Sequence, residues 1–216
     1  MDAIAYGKSN MKRHTVNVTG PLGQAVKASY ISYDEAGEKV ALIEMAEAAG
    51  LPLVPESARN PMHTTTYGVG EMIKDAMLHG CRSFIIGIGG SATNDAGIGM
   101  LQALGCHFLD EHGNEVCYGA EGLSKVYEIH TEDMLPELSA CSFQIACDVT
   151  NPLVGENGCS YIFAPQKGAD AQMVENMEKS MVRYADLVEQ QNWSGCKQDK
   201  VQMNTDPEKC QMDSII

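Results

Sequence analysis

The sequence predicts an α/β fold with an antiparallel β portion near its start. Three strand-like runs within residues 15–45 are separated by short turns, which is typical of an antiparallel meander. After residue 64, strand-like and helix-like segments alternate, which favours a sheet with parallel strands. One strand, at residues 83–86, runs into a loop rich in glycine and small hydroxyl residues, and this loop is the most informative feature of the chain.

The meander is predicted to comprise strands at residues 15–18, 26–33 and 40–45. Each run carries the β-branched or aromatic residues that are enriched in strands. Turn formers lie between the runs at residues 20–23 and 34–37, so consecutive strands are expected to lie side by side.

The clearest helix is predicted at residues 64–80, because its apolar residues recur at helical spacing and form one stripe. Threonines precede it as potential caps, and Gly80 stands where a C-terminal glycine belongs. The stripe consists of Val69, Met72, Ile73, Ala76 and Met77.

The later elements are expected to alternate in the same way. A helix at about residues 96–104 should follow the glycine loop, and strands are predicted at residues 106–109 and 142–149. The final helix is amphipathic, with apolar positions that recur from Met173 to Val188.

The net charge and the hydropathy of the chain argue against some classes of binding partner. The chain has 216 residues and a formal net charge of −14, which argues against nucleic acid or an anionic membrane surface as a partner. It contains no run of about 18 apolar residues, the length that a membrane-spanning helix requires. Its first residues lack the apolar segment of a secretory signal, so we expect a cytoplasmic protein.

The cysteines and histidines form no recognisable metal motif. Eight cysteines are irregularly spaced and no C-x-x-C occurs, so we interpret them as reduced core thiols, with zinc binding as the minor alternative. The six histidines include no pair at metal-ligand spacing.

The glycine loop has the features of an anion site. Gly87, Gly89 and Gly90 lack a Cβ, so the backbone can approach a ligand closely. Backbone N–H groups at a helix start favour phosphate or carboxylate. The alternative is a structural glycine turn in front of a capped helix. The small polar residues that could bind a ligand or cap the helix are Ser91, Thr93, Asn94 and Asp95.

Two known nucleotide-binding motifs also contain glycine-rich loops. Residues 87–92 satisfy G-x-G-x-x-A and Asp110 ends a strand-like run, which is a weak form of the dinucleotide-binding pattern. No G-x-x-x-x-G-K-[ST] occurs, which excludes a P-loop of that sequence.

Three charged residues are candidates for catalysis. Asp95 follows the glycine loop, and Asp148 lies at the end of a predicted buried strand, where α/β sheets place their sites. Lys167 lies in a loop before a helix, where a cation could neutralise a transferring phosphate. The structural alternatives are a helix cap for Asp95, a turn former for Asp148 and an exposed turn for Lys167.

A further set of segments matches one enzyme family in order along the chain: residues 19–23, 43–46, 60–61, 64–68, 87–99, 147–153 and 163–169. On these segments the chain resembles the bacterial-type glycerate kinases over roughly residues 16–187. The resemblance implies a two-domain fold, represented here mainly by its central α/β domain. It also implies Mg²⁺-dependent transfer of phosphate from ATP to D-glycerate, which yields 2- or 3-phosphoglycerate.

In such a kinase, Asp95, Asp148 and Lys167 would be catalytic, and Asp148 would also bind the metal. The expected partner is a small-molecule substrate, D-glycerate, and whether the protein forms a homodimer is left open. The residues expected to bind the substrate or its phosphate are Gly89, Gly90, Ser91, Thr93, Asn94 and Thr65.

The resemblance also predicts the organisation of the chain. Residues 1–190 are expected to form the central portion of such a kinase, and residues 191–216 a divergent, weakly ordered tail. We therefore expect a truncated kinase. The alternative is a folded remnant without catalysis that binds an anion or nucleotide weakly.

Overall fold

A computed structural model describes residues 1, 6–147 and 149–190. Its main sheet has five strands in the order β1-β2-β3-β4-β7. The strands are β1 (Ser9–Thr19), β2 (Ala25–Glu35), β3 (Glu38–Glu44), β4 (Ser83–Gly87) and β7 (Ser142–Ala146). The pairs β1–β2 and β2–β3 are antiparallel, whereas β3–β4 and β4–β7 are parallel. The predicted α/β fold with an antiparallel portion is confirmed, and both portions belong to one sheet.

The helices connect and cover the strands. They are α1 (Ala46–Ala49), α2 (Tyr67–Leu78), α3 (Ile98–Ala103), α4 (Gly119–Leu123), α5 (Cys159–Phe163) and α6 (Ala171–Gln190). A two-stranded antiparallel sheet consists of β5 (His107–Leu109) and β6 (Glu128–His130). None of the described helices combines the length and hydropathy that crossing a membrane would need.

The predicted amphipathic faces pack into the core. The stripe on α2 is buried, and Gly80 after the helix has the positive φ of 86° that was expected of a C-terminal glycine. On α6, Met177, Met181 and Tyr184 are buried at helical spacing. Both helices contribute to one large hydrophobic cluster, which also contains Phe84 of β4.

Several boundaries differ from the expectation. Helix α2 begins at Tyr67 and not at residue 64, because the preceding threonines are held by distant segments: Thr64 donates to the Ala92 carbonyl and Thr66 to the Asp95 carboxylate. Helix α3 begins at Ile98 after Gly97, whose φ of 76° interrupts the backbone before the helix.

The dinucleotide-binding alternative is not supported by the topology. That motif requires a second parallel strand beside the strand that precedes the glycine loop. Strand β5, which would be that strand, pairs with β6 in the small sheet, and β4 lies between β3 and β7.

Candidate functional site

The carboxyl ends of three parallel strands meet at one edge of the main sheet. Glu44 of β3 is in register with Gly87 of β4, which is in register with Ala146 of β7. The loops that follow these strands therefore start side by side. Ligands of open α/β sheets bind outside this edge, which makes these loops the candidate site.

The glycine loop after β4 is held at its base and open at its tip. The amide of Leu51 donates to the carbonyl of Gly90 at 2.9 Å, and the amide of Ala92 donates to that of Ala49 at 2.8 Å. Gly89 and Gly90 are exposed, and a Cβ at Gly89 would meet no atom within 4 Å. Among the described residues, no acceptor pairs with the amides of Gly89, Gly90 or Ser91. These amides are available to an anion.

Lys167 reaches this loop from the turn that follows α5. Its side chain is 8% exposed, and its Nζ donates to the Ser91 hydroxyl at 3.1 Å and to the Thr93 carbonyl at 2.5 Å. The turn packs closely against Arg59 because Gly168 has no Cβ. A Cβ at Gly168, whose φ is 99°, would lie 2.3 Å from the carbonyl oxygen of Arg59. Lys167 is therefore part of the candidate site and not an exposed turn residue.

The Lys167 ammonium lacks an acidic partner within the described part of the chain, where no carboxylate oxygen lies within 4.0 Å of it. Burial lowers the pKa of Lys167, and electrostatic interactions with Cys159 and Asp95 oppose this effect. A buried ammonium normally requires a paired anion. Protonated Lys167 is thus a buried cation without an ion-pair partner among the described residues.

Asn94 donates a hydrogen bond to Ser160, a buried serine that no sequence motif indicates. Its Nδ2 donates to the hydroxyl of Ser160 at 3.3 Å, and both side chains are buried. Ser160 lies in the first turn of α5, directly before the segment that ends in Lys167. The order Gly158-Cys159-Ser160 at a helix start was the only available signal, and it is too common to single out a site residue.

Asp95 lies behind the loop and connects the starts of two helices. Its Oδ2 accepts hydrogen bonds from the amide and the hydroxyl of Thr66 at 2.9 and 2.8 Å, and its Oδ1 accepts one from the Gly97 amide at 3.2 Å. The Thr66 hydroxyl in turn accepts the Met100 amide at 2.9 Å. Burial raises the pKa of Asp95, while the bonds from Thr66, Gly97 and Gly99 lower it. This is the geometry of a residue that positions the loop.

The two remaining predicted residues do not join Lys167 in the described structure. Thr65 is 1% exposed, and its hydroxyl accepts the Tyr67 amide at 3.1 Å at the start of α2. Asp148 lies outside the described residues, so its catalytic and metal-binding roles stay predictions. The structure therefore assembles Ser91, Thr93 and Lys167, with Asn94 bound beside them.

Comparison with known proteins identifies the family. The sequence matches the glycerate kinase family over residues 1–205. The chain belongs to the glycerate kinase family. The match extends past residue 190 into the segment predicted to be a divergent tail, which lies outside the described residues.

Individual relatives carry the same name. The chain is 47% identical over 189 residues to glycerate 2-kinase of Escherichia coli K12, covering 87% of this chain and 49% of the relative. It is 48% identical over 172 residues to glycerate kinase of Haemophilus influenzae, covering 80% of this chain and 45% of the relative. The chain thus spans about half the length of the curated relatives that it matches.

A solved structure agrees with the fold. A crystal structure described as glycerate kinase 2 from Salmonella typhimurium LT2 superimposes with a TM-score of 0.81 at 46% identity. The superposition covers 84% of this chain and 48% of that one. The resemblance seen in the sequence is therefore confirmed at the level of family and fold.

Proposed function

We propose that this chain belongs to a kinase that transfers the γ-phosphate of ATP to a hydroxyl of D-glycerate, yielding phosphoglycerate. The observation that supports this most strongly is the buried Lys167 ammonium next to the free amides of the glycine loop. A buried cation without a described carboxylate partner and a set of unpaired N–H groups form a receptor for an oxyanion. Phosphate and carboxylate groups are the oxyanions of this reaction.

The described residues fit the phosphate groups of ATP better than they fit Mg²⁺. Lys167 and the loop amides are all donors, and none of them can coordinate a cation. Asp95 is buried and its oxygens accept hydrogen bonds from Thr66 and Gly97, so it is poorly suited to bind Mg²⁺. Asp148 is the remaining candidate ligand from the sequence analysis. When bound, MgATP would supply the phosphoryl group and neutralise part of its charge.

The residues of this chain would act through positioning and electrostatics. An ammonium has three N–H donors, and two of those on Lys167 are used by Ser91 and Thr93. The third donor and the amides of residues 89–91 can bind the oxygens of a transferring phosphate, on which negative charge is concentrated. Asp95 holds the loop to α2 and α3, and we assign it this positioning role in place of the catalytic role predicted from the sequence. Asn94 and Ser160 fix the neighbouring side of the loop.

The proposal is tested by identifying the product. Purified chain is incubated with ATP, Mg²⁺ and D-glycerate, and the mixture is examined by phosphorus NMR, which separates 2- from 3-phosphoglycerate. We expect a phosphoglycerate signal that requires D-glycerate and is lost in Asp148→Ala. ATP hydrolysis that does not depend on glycerate would contradict the proposal, as would a folded chain that forms no product. The second of these results would favour the non-catalytic remnant.

Two further proposals accompany this function. We place the protein in the cytoplasm, on the basis of its family. A homodimer is left as an open proposal, and size-exclusion chromatography with light scattering would measure it directly.

A further inference from the structure

The fold brings together two histidines and a carboxylate that are far apart in the sequence. His14 lies on β1, and Asp75 and His79 lie at the end of α2. One ligand atom from each of the three residues lies within 4.8 Å of the other two. Linear spacing of the histidines gave no indication of this cluster. It is built on β1, β2 and α2, whereas the candidate active site follows β4.

The spacing within the cluster suits a small divalent ion. The Nδ1 of His79 is 3.2 Å from the Oδ2 of Asp75. Two ligands that each lie about 2.0–2.1 Å from a tetrahedral zinc ion stand about 3.4 Å apart. The i, i+4 spacing of Asp75 and His79 places both on one helix face. The rings of His14 and His79 are tilted against each other, with centroids 4.6 Å apart at 57°. Because the three ligand atoms lie within 4.8 Å of one another, a shift of the order of 1 Å would complete a three-ligand set.

Outer partners orient two of the three side chains. His14 is 9% exposed, and its Nε2 lies 2.8 Å from the hydroxyl of Ser32. Nδ1 is therefore the ring nitrogen that would bind the ion. The hydroxyl of Tyr30 donates to the Oδ2 of Asp75 at 2.7 Å. Histidine and carboxylate ligands of protein-bound metals are characteristically held by such second hydrogen bonds. The ring of Tyr30 also stacks on His14, with centroids 4.7 Å apart at 4°.

We propose that His14, Asp75 and His79 bind a divalent transition-metal ion of the zinc type. Two imidazoles and one carboxylate favour zinc, nickel, cobalt or copper over Mg²⁺ or Ca²⁺, which prefer oxygen ligands. The side chain of His79 is 45% exposed and that of Asp75 28%, so an ion can enter from solvent. Its effect would be to join β1 to the end of α2.

The test is calorimetric titration of metal-free full-length chain with Zn²⁺. We expect the wild type to bind one ion that is lost, or bound at least about 100-fold more weakly, in His79→Ala and in Asp75→Asn. Tyr30→Phe, which removes the outer hydrogen bond to Asp75 and the contact of the Tyr30 hydroxyl with Nδ1 of His79, should weaken binding by about 10-fold. The matched control is His112→Ala, because His112 is an exposed histidine in a turn away from the cluster. It should bind Zn²⁺ as the wild type does.

The absorption spectrum of bound Co²⁺ distinguishes binding at this cluster from binding by the cysteines. Co²⁺ bound by the cluster should give the absorption of a nitrogen and oxygen ligand set without a thiolate charge-transfer band. Circular dichroism melts without metal verify that each variant is folded. Equal stoichiometry and affinity in the wild type, His79→Ala and Asp75→Asn would overturn the proposal. A wild type that binds no Zn²⁺, or that binds Co²⁺ only through thiolates, would overturn it as well.

Discussion

The link between Asp95 and Thr66 predicts a large stability effect from a nearly isosteric substitution, Thr66→Val. The Thr66 hydroxyl donates to the buried Asp95 carboxylate at 2.8 Å and accepts the Met100 amide at 2.9 Å. The Met100 amide lies in the first turn of α3, where an N–H group has no carbonyl acceptor within the helix. Valine retains the volume and removes both hydrogen bonds.

The two losses can be estimated separately. A hydrogen bond to a charged group contributes about 1.5–3 kcal/mol, and a buried N–H left without a partner costs about 1–3 kcal/mol. Together they predict a loss of about 3–5 kcal/mol in the free energy of unfolding. This is a large share of the roughly 5–15 kcal/mol that stabilises a typical domain.

Urea unfolding followed by circular dichroism measures this change. The midpoint for Thr66→Val should fall while the slope stays constant. Thr15→Val is the control, because its hydroxyl makes an exposed contact with Ser29 on β2, and its effect should stay within about 0.5 kcal/mol. A loss below about 1 kcal/mol in Thr66→Val would refute the interpretation of Asp95 as a residue that connects the two helices.

Further predictions concern packing and titration. Gly70→Ala should destabilise the protein by about 1–3 kcal/mol in urea unfolding despite the higher helix propensity of alanine, because a Cβ there would lie 2.3 Å from a backbone oxygen of α3. His107 has its pKa raised by a hydrogen bond to Glu115. Its contribution to stability is therefore present below pH 6.5 and lost as the pH rises through the folded-state pKa, so His107→Asn should destabilise the protein near pH 6 more than near pH 9. Burial raises the pKa of Cys106 to about 12, so mass spectrometry after brief alkylation near pH 8 should find exposed Cys117 modified and Cys106 unmodified.

Much of the fold was predictable because its signals are local. The stripe of α2, its final Gly80 and the apolar run of β4 depend on short-range periodicity and on glycine conformation. The start of α2 was predicted three residues too early, because three consecutive threonines are typical of a helix start. In the structure these threonines make tertiary contacts, and Thr64 donates to the Ala92 carbonyl at 2.7 Å. Such contacts between distant segments leave no periodic signal.

The candidate site was predictable only in part, for the same reason. Glycine and small polar residues identified the loop, and Lys167 was chosen for its charge, but its contact with Ser91 spans 76 residues. The inward orientation of Asp95 and the pairing of Asn94 with Ser160 depend on how α2, α3 and α5 pack. The cluster of His14 with α2 likewise exists only in the folded chain.

The most direct test of the proposed kinase is the rate of glycerate-dependent ATP consumption in wild type, Lys167→Met and Lys74→Met. Lys74 is an exposed lysine on α2 and provides a control for loss of charge. We expect measurable turnover in the wild type and in Lys74→Met, and a fall of about 10²–10³-fold in Lys167→Met, the effect of removing one donor from a developing negative charge. Equal turnover in Lys167→Met and the wild type would contradict the assignment of Lys167 to the phosphate, and the absence of turnover in a folded wild-type chain would contradict catalysis by this chain.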